Sequence, residues 1–546
     1  MKKLLISGLL LLLAAIAACL FSCSSKNNSV RTTGTPPPPP ATTTTVTTYH
    51  NDNARTGQNL NETTLTPANV DASSFGLLFV ITADGRVDAQ PLYVPNLSIS
   101  GTKHNVLFVV TEHGSVYGFD ADSGTQLWQV STLGSGETPS DDHGCGQITP
   151  EIGVTATPVI DASMGAHGTI YVVGMSKDAS GNYHQRLHAL DLTTGAEELG
   201  GPKEIQASYP GTGDNSSGGE VSFSPGQQVD RPGLLLINGV VYTSWGSHCD
   251  IRPYSGWIIG YDEQTLAQVS VLNLTPNGNE GALWMAGAGP AADSNGNIFA
   301  LDANGSFDAT LSAQEFPNQG DFGNAFLKIA TANRQLAVVD YFEMSNQSSE
   351  NDTDEDLGSG GALVLPDLTD NSGQTHHLAV GAGKDANIYV VDRDAMGKFN
   401  SNSNNIYQEV QGALGGGVFS MPAFFNNTVY YGAVSDNIKA FTITNAKLGS
   451  TPASQTANAF AYPGATPSIS ANGSSSAILW AAENANPAVL HAFNATNLAT
   501  ELYNSNQASG GRDHFGAGNK FITPTIINGK VYVGTTSGVG VFGLLH

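Results

Sequence analysis

Apolar residues recur along this chain in short runs rich in Val, Ile, Tyr and Phe, each following a proline and a polar gap. Eight such units are legible: Pro91 leads to residues 107–110, Pro158 to 170–173, Pro232 to 240–243 and Pro290 to 298–301. Pro366 then leads to 377–380, Pro422 to 429–431, Pro467 to 478–480 and Pro524 to 531–533. Several units continue into a second run that closes on an acidic turn, as at 116–120, 187–191, 257–262 and 388–392. Short β-branched runs separated by Gly, Asn and Asp predict antiparallel hairpins. The prolines lie roughly 45 to 76 residues apart, too long for leucine-rich or β-helix coils and suited to four-stranded blades with insertions. The expected fold is therefore an all-β propeller of eight blades with four antiparallel strands each. No sustained helical period appears, so very little helix is expected. Pairing of residues 75–81 with strands between 531 and 542 would close the ring, and an open superhelix is the alternative.

The pattern breaks at the N-terminus. Lys2 and Lys3 precede an apolar run, 4–21, that ends in small residues and cysteine, and this reads as an export signal over 1–23. Residues 16–19 fit the small-residue box before a lipidated Cys19, whereas 20–23 fit it less well for Cys23. Cleavage without lipidation is the alternative. Residues 24–48, rich in Ser, Asn and Thr with a proline run at 36–40, read as an extended tether. The region 49–546 is then the propeller, exported to the periplasm or cell envelope and held to the membrane only by a lipid anchor.

Composition narrows the partners. With 22 Lys and Arg against 47 Asp and Glu, the net charge is -25, which argues against nucleic acid and anionic membrane surfaces. Behind the signal, Cys145 and Cys249 permit at most one internal disulfide. No Cys-x-x-Cys-His haem site, nucleotide-binding glycine loop or zinc signature is present.

Residues 116–128 carry a strand, Asp120, a turn with Ser123 and Gly124, and Trp128. This resembles the tryptophan-docking repeat of the quinoprotein (pyrroloquinoline quinone, PQQ) dehydrogenases and their noncatalytic relatives. In such a turn Asp caps its own loop, Gly takes positive φ, and Trp fills the space between blades. Residues 190–195 keep the turn and lose the Trp. The resemblance extends over most of 49–546 and implies a set of site residues. Residues 281–305 resemble the region where a Trp stacks on the quinone and an Asn binds calcium, making Trp284 the stacking floor and Asn304 a metal ligand. A core Trp and a turn Asn are the plain alternatives. Residues 354–361 resemble the acidic turn that supplies the catalytic base, which assigns Asp356 as base and metal ligand. Otherwise the acidic run 350–356 is a solvated loop or a surface calcium site. Lys384 matches the cation that contacts the quinone oxygens, or is a turn residue. Asp250 falls near an acidic calcium ligand for which the family usually has Glu. Cys145 stands where many members carry two adjacent cysteines covering the quinone.

Two functions follow from the resemblance. One is oxidation of an alcohol or sugar with PQQ and calcium, handing electrons to a separate acceptor. The other is a noncatalytic scaffold that binds envelope proteins through one face. A sugar-binding or hydrolytic propeller is a third option, which needs two carboxylates across a cleft.

Overall fold

The structure is a computed structural model and describes residues 44–545. The expected signal, Cys19, Cys23 and residues 24–43 of the expected tether lie outside the described residues. Among the described residues, eight sheets of four or five strands follow one another along the chain, forming a β-propeller. The only α-helix among them is Gln347–Thr353. In the first blade, strands Leu92–Ile99, Thr102–Val110, Ser115–Asp120 and Gln126–Ser131 pair antiparallel in sequence order. Each strand anticipated after a proline lies in its own blade. Pro serves at these starts because it cannot donate to the ladder. The fifth unit differs: its first strand, Leu363–Val364, precedes Pro366, and a small hairpin, Leu368–Thr369 with Thr375–His376, follows.

Neighbouring blades dock as the repeat implies. Trp128 is buried and donates its indole N–H to the carbonyl of Leu192, 3.0 Å away in the second blade's turn. Gly195 in that turn has φ +68°, and a Cβ there would lie 2.7 Å from the Trp128 ring. Asp120 accepts from the backbone N–H groups of Asp122 and Ser123, and Asp191 accepts from those of Thr193 and Thr194.

The ring closes in the eighth blade. Strand Phe75–Thr82 pairs antiparallel with the last strand, Gly538–Leu544, Phe75 opposite Leu544. One N-terminal strand therefore completes a sheet whose other three strands are C-terminal.

The packed region begins a few residues ahead of Tyr49. Val46 exchanges backbone hydrogen bonds with Tyr93 of the first blade, and Thr47 accepts from Ile160 of the second. Asn53 donates to Leu236 of the third and accepts from Ala292 of the fourth. Ala54, Thr56 and Gly57 accept from Val364, Phe424 and Ile469 of blades five, six and seven, and Asn59 donates to Ile526 of the eighth. A short segment, 46–59, thus meets all eight blades in order around the ring. No helix among the described residues is long and apolar enough to cross a membrane.

Candidate functional site

Where blades converge, loops from different repeats share one cavity. One such polar-and-aromatic cavity has a volume of about 220 Å³, and Trp284, Asp356, Lys384, Asp250 and Cys249 all line it. Gln147, Arg231, Phe419, Tyr462 and Phe521 complete much of the wall, so the lining is drawn from segments reaching from the second blade's approach to the eighth's.

The repeat explains this convergence. Asp250, Asn304 and Lys384 all sit in the turn between the second and third strands of their blades, namely the third, fourth and fifth. Trp284 and Asp356 lie in the loops that join blade three to four and four to five. Two of the several consecutive left-handed pairs in the described residues lie here, Cys249 with Asp250 (φ 49° and 53°) and Met285 with Ala286 (φ 45° and 46°). Such conformations persist where packing over-determines them.

Trp284 is not ordinary core. Its ring is half-buried, faces the cavity, and is backed by Gly246, where a Cβ would stand 3.2 Å from the indole. The acidic run is only partly solvated: Asp352 and Asp354 are exposed, whereas Glu350, on the helix, is 1% exposed and Asp356 is 6% exposed. Asp356 accepts from the backbone N–H of Asn304 at 2.8 Å and from Lys384 Nζ at 2.5 Å. Lys384 also reaches the exposed Asp354, at 2.8 Å. Burial pushes the Asp356 carboxyl above its usual range, with Lys384 and the Asn304 N–H pulling against it. Burial pulls Lys384 down, and the two carboxylates more than offset it, leaving the ammonium firmly protonated.

Asn304 does not itself line the cavity; it stands behind Asp356. Its Oδ1 is buried with no hydrogen-bond partner, as is Oδ2 of the fully buried Asp302. Orphaned oxygens beside a carboxylate are a donor set suited to a hard cation. Among the described residues no group of three or more His, Cys, Asp or Glu is placed to hold a metal alone. Asp250 is at the exposed rim and accepts from the Tyr254 hydroxyl at 2.7 Å.

Cys145 and Cys249 form a disulfide with Cα atoms 5.4 Å apart. Cys249, not Cys145, is the half that meets the cavity. Beside it His143 and His248 stack with centroids 4.0 Å apart, and burial, then His143, pushes His248 down to about 3. Sequence reasoning missed Arg231, Phe419, Tyr462 and Phe521. They lie in loops without periodicity, and only Arg231 carried a signal, as a rare cation beside a strand-leading proline.

No family model and no curated protein matches this sequence. Solved structures do. Quinohemoprotein alcohol dehydrogenase from Comamonas testosteroni is similar with a TM-score of 0.57 and 13% identity, over 92% of this chain and 81% of that one. A quinohemoprotein alcohol dehydrogenase from Pseudomonas putida HK5 gives a TM-score of 0.58 and 13% identity, over 92% and 80%. A europium-containing methanol dehydrogenase gives 0.57 and 13%, over 92% and 98%. The chain thus has a quinoprotein-dehydrogenase-like propeller fold.

Proposed function

We propose that the protein is an exported, lipid-anchored quinoprotein-like dehydrogenase that oxidises an alcohol or sugar with PQQ and calcium. The observation that carries this reading is that Trp284, Asp356 and Lys384, distant in sequence, meet in one cavity bordered by a disulfide. The structural neighbours named as alcohol and methanol dehydrogenases support it through the shared fold.

When bound, the quinone supplies the hydride acceptor. The chain's own residues do the rest. Trp284 offers a flat face on which a planar ring stacks. Asn304 Oδ1, an oxygen of Asp356 and, from the rim, Asp250 would be the oxygens that hold a calcium ion. Asp356 is the base that receives the substrate hydroxyl proton, and its burial raises the proton affinity that role requires. Lys384 holds the Asp356 carboxylate before transfer; once Asp356 is neutral, Lys384 retains Asp354 and is free to face an oxygen in the cavity. With no haem-attachment motif in the sequence, electrons leave to a separate acceptor.

Titration of the full chain with PQQ and calcium, followed by tryptophan fluorescence and dye-linked alcohol oxidation, tests this. Saturable quenching is expected, lost in Trp284→Ala. Asp356→Ala is expected to lose turnover by about 10²-fold or more, the usual span for a general base. Absence of PQQ binding at any calcium concentration would overturn the reading and leave a noncatalytic propeller that binds envelope proteins.

A further inference from the structure

Besides Lys384, the cavity is lined by a second cation, Arg231. Its partners set it apart. Of the other described arginines, Arg86, Arg186, Arg252, Arg334, Arg393 and Arg512 each reach a carboxylate, and Arg55 is held by carbonyls. Arg231 makes no hydrogen bond or ion pair among the described residues. Yet it is only 7% exposed, with Cζ 4.5 Å over the Phe521 ring, which also lines the cavity. In a chain with about twice as many acids as bases, a guanidinium that has no protein partner and opens to a cavity calls for an anion. Burial pulls Arg231 below its usual range, and Asp88, Tyr462 and Glu112 oppose this from beyond ion-pair distance. Asp88 is already engaged by Arg86. Lys520 adds positive charge behind the wall, its Nζ donating to Gln147 Oε1 at 2.6 Å.

We propose that Arg231 makes this part of the cavity an anion subsite, receiving a carboxylate of the bound ligand. Phe521 covers one face of the guanidinium and so leaves its N–H edge for a bidentate contact. Phe419, Tyr462 and Trp284 border the same space, which favours a planar acid over a flexible one. The carboxylate belongs either to the quinone or to an acidic substrate. The inference rests on the reading above only in taking this cavity as the ligand site; it requires no redox turnover.

The test is calorimetric titration of the full chain with isophthalate and with its neutral counterpart isophthalamide, in wild type, Arg231→Gln and Arg231→Lys. Wild type is expected to prefer the dicarboxylate by about tenfold or more, with affinity falling as salt rises. Arg231→Gln should abolish the preference, and Arg231→Lys should retain part of it. A parallel PQQ titration separates the sources. Weaker PQQ binding in Arg231→Gln assigns the carboxylate to the quinone, whereas unchanged PQQ binding with the isophthalate preference lost assigns it to an acidic substrate. Isophthalate binding that depends on Arg231, without any PQQ binding, upholds the subsite and removes the quinone. A wild type that does not distinguish the two probes overturns the proposal, as does a natively melting Arg231→Gln that still does. Should Arg231→Gln fail to fold, the Arg231→Lys affinities and the salt dependence of wild type decide.

Discussion

Burial of acids is the dominant residue-scale feature, and Glu350 lets it be measured. Burial pushes its carboxyl from 4.5 up to about 8, with Asp385 adding to the shift and the Asn346 amide opposing it. An acid whose folded pKa exceeds its unfolded value binds its proton more tightly when folded. Its contribution to stability is therefore full below about pH 4.5 and is lost as pH rises towards 8, at most about 5 kcal/mol. Glu350→Gln should raise the melting temperature at pH 8 to 9 and leave it nearly unchanged at pH 4.5. Equal melting curves for the two proteins at pH 9 would show that Glu350 ionises normally. The same physics explains what the acidic run concealed. Sequence marks residues 350–356 only as a cluster of charge, and clusters are usually solvated. Here a one-turn-and-more helix folds Glu350 against Asn324 and Asn346, leaves Asp354 outside, and turns Asp356 inward to Asn304 and Lys384.

At the scale of elements, the blade is the legible unit. Proline starts, β-branched strands and Asp-Gly turns act within a few residues of one another, so their pattern survives in the sequence. Docking between blades is legible only where Trp128 keeps the full motif. Removing that ring leaves a cavity against the Leu192 turn, and Trp128→Ala should cost about 3–5 kcal/mol. Trp128→Phe, which keeps an aromatic ring and loses the bond to the Leu192 carbonyl, should cost less. Chemical denaturation midpoints measure both; a loss under about 1 kcal/mol for Trp128→Ala would mean that the repeat motif does not carry the interface. The cavity wall was less legible. Phe419, Tyr462 and Phe521 come from three separate interblade loops, and nothing local to any one of them indicates that they meet. Pairing of Cys145 with Cys249 across 104 residues joins the neighbouring second and third blades, and it is the one internal disulfide that the two cysteines behind the signal allowed.

For the whole molecule, two N-terminal pieces bear on closure: the strand Phe75–Thr82, which completes the eighth blade, and the segment 46–59 before it, which meets every blade. The first was visible as an apolar run needing a partner. The second was not, because a segment that bonds to six blades through its backbone and to two through the Asn53 and Asn59 amides needs no apolar pattern and reads as polar linker. Arg55 is its centre. It is fully buried and donates to the carbonyls of Pro290 at 2.9 Å, Leu234 at 3.2 Å and Tyr49 at 2.8 Å, as well as to the Thr48 hydroxyl at 2.7 Å. Burial lowers the guanidinium pKa to about 10 with Asp52 opposing, so it stays charged at neutral pH. Arg55→Ala would leave these buried acceptors unmet in two neighbouring blades and should cost about 3–5 kcal/mol. The location of the damage is the stronger test. If the segment holds the ring together, amide exchange should rise in the first strands of blades on both sides, including Ala292, Val364 and Ile469, which donate to this segment. Faster exchange confined to residues 44–59 would instead make the segment a passenger on a ring that closes without it.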